Sequence, residues 1–308
     1  MGDVTFTAQT KFENAMRLEL NQNKPLLASR AMERDCAGAE KKKLENLISQ
    51  AQMKKKTARN TDVEYDQTGW DGIWIAKPDT DYLATEVDND DKLVTEVDLE
   101  GGELMNHSAA YNRAWDDAFL AGFFGDLITG KSGTVLNPFP SGNVVDAAVG
   151  DSGASATGMN VKKIKRARRI LAGNYVDMQQ QFYLAIGSEQ VENLFDEIEA
   201  TNQDYKQLGV RLSPDGKHLL GMLGFEFIEM ELGNPLLYST DLTVNASSER
   251  LNPYWSADGM VMGVWEKIFT SVDPLPGRHH NHQVYTRTVV AASRTDQSRC
   301  GYIENVEA

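Results

Sequence analysis

The chain has 308 residues, 41% hydrophobic and 25% charged, the composition of a soluble globular protein long enough to bury a core without disulfide or metal staples. A formal net charge of -14 argues against a tightly held duplex nucleic acid, because phosphate binding depends on clustered Lys and Arg. Cys36 and Cys300 match no metal or redox spacing and are expected to be reduced thiols, and no apolar run reaches the ~18 residues of a membrane helix.

Residues 1–60 are polar and charge-rich, and the opening "MGDVTFTAQTKFENAM" lacks the basic-then-apolar layout of a signal peptide. Within them "AGAEKKKLENLISQAQMKKK" places Leu44, Leu47, Ile48 and Ala51 at helical spacing, which predicts an amphipathic helix. With little apolar content of its own, the segment is expected to be an arm that lies on something else. From Asp62 to Leu99 the period shortens to two. "GIWIAKP" and "YLATEVDNDDKLVTEVDL" alternate, with TEVD at Thr85 and again at Thr95, predicting a long β-hairpin whose tip is the polar run DNDDK. Between Asp79 and Glu103 there are ten Asp and Glu against Lys92 alone, but the run lacks the Gly and closing Glu of a calcium loop.

Next, "GGELMNHSAAYNRAWDDAFLAGFFGDLITG" follows a helical rhythm, expected to start after Gly101-Gly102 and end near Gly125 to Gly130. Its end overlaps "GDLITGKS", Gly125 to Ser132, which spells the G-x-x-x-x-G-K-S of a nucleotide-binding loop. Such a loop needs a strand before it and a helix after it, so that backbone N–H groups converge on phosphate. Here a helix precedes it, and "GTVLNPFPSGN" cannot begin a helix. The order is expected to be helix, loop, loop, with the glycines stopping the helix and supplying positive φ in a turn.

After a loose stretch over 131–158, "MNVKKIKRARRILAGN" predicts a helix capped by Asn160 and ending at Gly173. Val161, Ile164, Ala167, Ile170 and Leu171 form its buried stripe, which leaves the basic residues of Lys162 to Arg169 on the opposite, solvated face. "QQQFYLAIGSEQVENLFDEIEA" predicts a strand over Phe182–Ile186, a turn at Gly187, and a helix capped by Ser188; the context I-G-S-E-Q is not the G-x-S-x-G of a nucleophile elbow. "KHLLGMLGFEFIEMELGNPLL" predicts a hairpin or two strands, and "MVMGVWEKIFTSVD", "VYTRTVVAAS" and "CGYIENVEA" predict strands. Between the last three sits HHNH. On an extended segment His280 and His282 face one side, which suits adventitious Zn²⁺ or Ni²⁺, but no Cys, Asp or Glu close to His279, His280 and His282 completes a site. No catalytic, cofactor-binding or metal-binding residue is assigned, and no cofactor.

This order of elements resembles the major capsid protein of tailed bacteriophages with the Hong Kong 97 type fold. "FLAGFFGDLITGKSG" is similar to the end of that family's long spine helix and its Gly-rich exit. "QQQFYLAIGSEQVENLF" resembles a strand and helix of its peripheral domain, and "LLGMLGFEFIEMELGNPL" an axial-domain segment. "MVMGVWEKIF" and "HHNHQVYTRTVVAASRTDQSRCGYIENVEA" resemble its closing strands.

The resemblance implies an α+β fold with an N-terminal arm at 1–60 and an extended β-hairpin loop at 61–100. It places the spine helix and peripheral domain at 101–204 and 276–308, and an inserted axial domain at 205–275. It implies a structural protein, not an enzyme, that self-assembles as hexamers and pentamers into an icosahedral head shell. The shell would enclose double-stranded DNA without sequence-specific binding, and would be made in the host bacterial cytoplasm and reside in the virion. The short arm points to a separate scaffolding protein, with a portal as a further partner and no membrane. An encapsulin-like compartment shell and a P-loop nucleotide-binding enzyme are the alternatives.

Overall fold

The computed structural model describes residues 24–48, 53–55, 59, 63, 65, 70–88, 99–150, 155–200, 211–213, 218–233, 236–237 and 239–307. The chain folds as two compact units. The larger comprises Pro25–Asp79, Ala114–Lys267 and Val289–Ala308; the smaller includes Thr80–Arg113 and Ile268–Thr288.

The larger unit is built on a seven-stranded sheet. Its order is β7 (Val144–Val145), β15 (Cys300–Asn305), β12 (Arg250–Ser256), β8 (Phe182–Ile186), β11 (Phe225–Glu229), β10 (Leu219–Met222) and β9 (Arg211–Leu212). Two helices, α2 (Val161–Gly173) and α3 (Ser188–Ala200), share its core. Ile164, Ala167 and Leu171 of α2 and Leu194 of α3 cluster with Phe182, Leu184 and Ile186 of β8, Phe225, Tyr254 and Ile303. The spacings explain the choice: α2 repeats apolar residues at three and four, and β8 at two. Strands β8 and β11 are parallel, so a crossover must join them, and α3 lies in that connection. A two-residue turn joins β10 to β11, with Leu223 (φ 55) and Gly224 (φ 89) both left-handed as a tight hairpin turn demands. The sheet takes β8 from before residue 204 and β9 to β12 from after it.

Helix α2 starts as the sequence predicts, with the Lys163 N–H donating to Asn160 Oδ1 at 2.9 Å. The α3 start differs. There the Gly187 N–H donates to Gln190 Oε1 at 2.9 Å, the half of a capping box in which the third helical residue reaches back. The Ser188 hydroxyl bonds Glu231 Oε2 at 2.9 Å and does not cap the helix.

A second sheet has the order β2 (Lys41–Ile48), β3 (Trp70–Ala76), β5 (Leu127–Thr129) and β6 (Val135–Asn137). Strand β2 overturns the helix expected from "AGAEKKKLENLISQAQMKKK", part of which lies outside the described residues. Helix propensity differs among these residue types by only a few tenths of a kcal/mol each. Antiparallel pairing with β3 from Lys41–Ala76 to Ile48–Trp70, through an irregularity at Lys43/Glu45, outweighs it.

The long helix α1 spans Leu99–Phe124, 26 residues, and takes Gly101 and Gly102 into its first turn instead of starting after them. From Ala114 onward it belongs to the larger unit. There Trp115, Asp116, Asp117, Phe119, Leu120 and Phe123 are all buried, so this half is covered nearly all round.

The remaining sheet has the order β1 (Met32–Asp35), β13 (Met260–Leu275), β14 (Asn281–Arg294) and β4 (Asp81–Val87). In the smaller unit β4, which carries the first TEVD, pairs antiparallel with β14 from Asp81–Thr288 to Val87–His282. The second TEVD, the predicted partner strand, lies outside the described residues.

Candidate assembly surfaces

The nucleotide-loop octamer lies between α1 and a β-hairpin. Its Leu127, Ile128 and Thr129 form β5, paired with β6, and Gly130 to Gly133 make the turn. Gly130 (φ 96) and Gly133 (φ 65) supply the left-handed conformations, and a Cβ on Gly133 would stand 2.8 Å from the Trp74 ring. The Trp74 indole Nε1–H donates to the Gly130 carbonyl at 2.7 Å, and Lys131 is exposed. The order is therefore helix, strand, turn, strand. No helix N-terminus follows the octamer to aim N–H groups at phosphate.

The histidine run is not extended where the sequence reading needs it to be. His279 (φ 50) and His280 (φ 58) are left-handed turn residues, whereas His282 is already in β14 opposite Val87. Among the described residues no three His, Cys, Asp or Glu side chains converge on a metal position. Both cysteines are buried; burial pushes the Cys300 thiol up to about 12, away from the thiolate needed for nucleophilic chemistry. No described helix is long and apolar enough to cross a membrane.

Three buried polar side chains that the sequence did not single out act as anchors. In the smaller unit His107, on α1, is almost fully buried. Its Nε2 lies 2.8 Å from Thr85 Oγ1 on β4 and its Nδ1 lies 3.0 Å from Thr286 Oγ1 on β14. Burial pulls the His107 pKa below its ordinary value, partly opposed by Glu103. In the larger unit the Asp116 carboxylate accepts the N–H groups of Leu26, Leu27 and Ala28 at 2.9–3.0 Å, fixing where the N-terminal segment joins the fold. Lys163 contradicts the expectation that the basic residues of α2 all face solvent. Its Nζ is buried and donates to Thr157 O (2.7 Å), Glu304 O (2.8 Å) and Asn305 Oδ1 (3.0 Å). The signal was there: position 163 is four before Ala167 and falls on the buried stripe.

Large apolar side chains stand exposed on strands. In the smaller unit Tyr82 is 70% exposed and stacks on Tyr285 at 6.1 Å, and Ile268, Phe269 and Val272 of β13 are also exposed. In the larger unit β6 ends its sheet with Val135 and Leu136, 50% and 60% exposed. An apolar edge strand left open invites pairing with another chain, so these are surfaces that an assembly would cover.

Cyanophage Pam1 capsid has a similar structure, with TM-score 0.67, 11% identity, and 100% of each chain covered. The capsid of Ralstonia phage GP4 gives TM-score 0.66 at 12% identity over 98% of this chain and 96% of that one. The capsid of Helicobacter pylori bacteriophage KHP30 gives 0.65 at 11% over 91% and 88%. At these identities the likeness establishes the fold: α+β, of the Hong Kong 97 capsid type. No curated protein matches the chain. A family model described as phage capsid protein matches residues 4–307, nearly the whole chain, and this chain therefore belongs to the phage capsid protein family as a structural subunit of a phage head.

Proposed function

We propose that this chain self-assembles, as hexamers and pentamers, into the icosahedral head shell of a tailed phage that encloses double-stranded DNA. The observation that carries the proposal is the exposed apolar side chains on strands of each unit, Tyr82 and Phe269 on the smaller and Val135 and Leu136 on the larger, in a chain whose family builds capsids. Residues 1–60 act as the N-terminal arm and 61–100 as the extended loop. Residues 101–204 and 276–308 supply the spine helix and peripheral domain, and 205–275 the axial domain. The protein works mechanically and carries no catalytic step. A scaffolding protein and a portal join it in the host bacterial cytoplasm, and the product resides in the virion. The net charge of -14 supports DNA held without sequence recognition, since a repulsive wall lets DNA pack without sticking.

The contents of particles test this. Particles isolated from infected cells and treated with nuclease should retain double-stranded DNA. A co-purifying cellular enzyme in place of DNA would assign the shell to an encapsulin-like compartment.

A further inference from the structure

Helices α2 and α3 of the larger unit carry opposite charges. Helix α2, VKKIKRARRILAG, has six Lys and Arg and no acid; α3, SEQVENLFDEIEA, has five Asp and Glu and no cation. Lys163 is consumed inside the fold, but Lys162, Lys165, Arg166, Arg168 and Arg169 are exposed. Lys162 Nζ donates to the Gly150 carbonyl and Arg168 to the Leu223 carbonyl, neither of which neutralises charge. Lys165, Arg166 and Arg169 meet no carboxylate among the described residues. On α3, Glu192 and Asp196 stand one turn apart, exposed, and meet no cation among the described residues. The helices themselves do not account for this. No acid sits in the first turn of α2, and no base in the last turn of α3, where each would favour its own dipole.

We propose that these two faces dock on one another between neighbouring copies of the chain: the Lys165, Arg166, Arg169 face of α2 on one copy against the Glu192, Asp196 face of α3 on the next. The contact is heterologous. A copy that gives its α2 face to one neighbour keeps its α3 face for another, which is how closed rings form. Charge matching of this kind fixes register and speeds encounter, and it excludes α2 against α2 or α3 against α3. A chain with net charge -14 otherwise repels its copies, so a local cationic face has a specific place to act. The inference rests on the shell assembly proposed above and names one contact within it.

Charge exchange tests it, read by sedimentation of the purified full chain in low salt. Variant one is Lys165→Glu, Arg166→Glu, Arg169→Glu; variant two is Glu192→Lys, Asp196→Lys. Each alone should keep the wild-type melting curve and lose assembled material on the order of tenfold, because like charges then face each other. The variant carrying both sets should assemble again, and an equal mixture of the two single-face variants should form six-membered rings, in which the two alternate. Rescue in the combined variant with no six-membered rings in the mixture would place the contact within one chain and overturn the proposal. Normal assembly of variant one with loss only of bound nucleic acid would overturn it too, assigning the α2 face to a polyanion. Wild-type chain that stays monomeric would overturn the shell assembly itself, whereas assembled wild type with unaffected variants would overturn this contact alone.

Discussion

Lys163 shows how much one side chain can hold. Its ammonium has three hydrogens and three acceptors, on the approach to α2 and on β15, so it ties that helix to the last strand of the sheet. Lys163→Met would remove all three of these bonds at once, leaving Thr157 O only its bond from the Val306 N–H, and is expected to lower the unfolding free energy by roughly 2–4 kcal/mol in urea titration. Burial pushes this ammonium down to about 8, against the pull of Glu249, Asp146 and Glu304, while an unfolded lysine titrates near ~10.4. Between those values the unfolded chain holds a proton that the folded chain has released, so this group makes stability rise as pH rises from about 8 towards about 10. The Lys163→Met curve should lack that rise. His107 works in the acid range. Its pKa is lowered by burial, so below about 6.5 the unfolded chain takes up a proton that the folded chain refuses, and stability falls with falling pH. His107→Gln keeps a donor and an acceptor towards Thr85 and Thr286 and should flatten that limb of a pH-melting series.

At the scale of elements, Asp116 anchors residues 26–28 to α1, and Asp116→Ala strands three N–H groups. The expected cost is roughly 2–4 kcal/mol, with faster proteolysis near Leu26, read by limited digestion and mass mapping. The elements legible in the sequence were those whose period was unbroken: α2 from Asn160 to Gly173, β8 with its turn at Gly187, the β10–β11 hairpin at Leu223-Gly224, and the long strands β13 and β14. Strand β2 was not legible, because Leu44, Leu47 and Ile48 fit a helix and only the partner β3, some twenty-five residues away in the chain, selects the strand. The octamer at Gly125 was legible as a false nucleotide loop, since the helix before it and the Pro after it are local. Its place in a hairpin required Trp74, which is distant in sequence. Buried anchors such as His107 and Asp116 were invisible because polar residues on a helix declare their partners only in three dimensions.

At the scale of the whole molecule, the assembly surfaces lie on strands that the fold holds but leaves open, and residues 25–48 of the N-terminal region are part of the larger unit. Leu27, Ala28 and Cys36 are buried, and β1 and β2 pair in sheets of the larger unit. Removing residues 1–60 should therefore unfold or aggregate the chain, read by calorimetry. The central claim, that the chain builds a shell, is tested most directly by negative-stain electron microscopy of the purified protein with sedimentation beside it. Closed icosahedral particles or hexameric rings are the expected result. A stable monomer or dimer, even when a scaffolding protein is co-expressed, would contradict it.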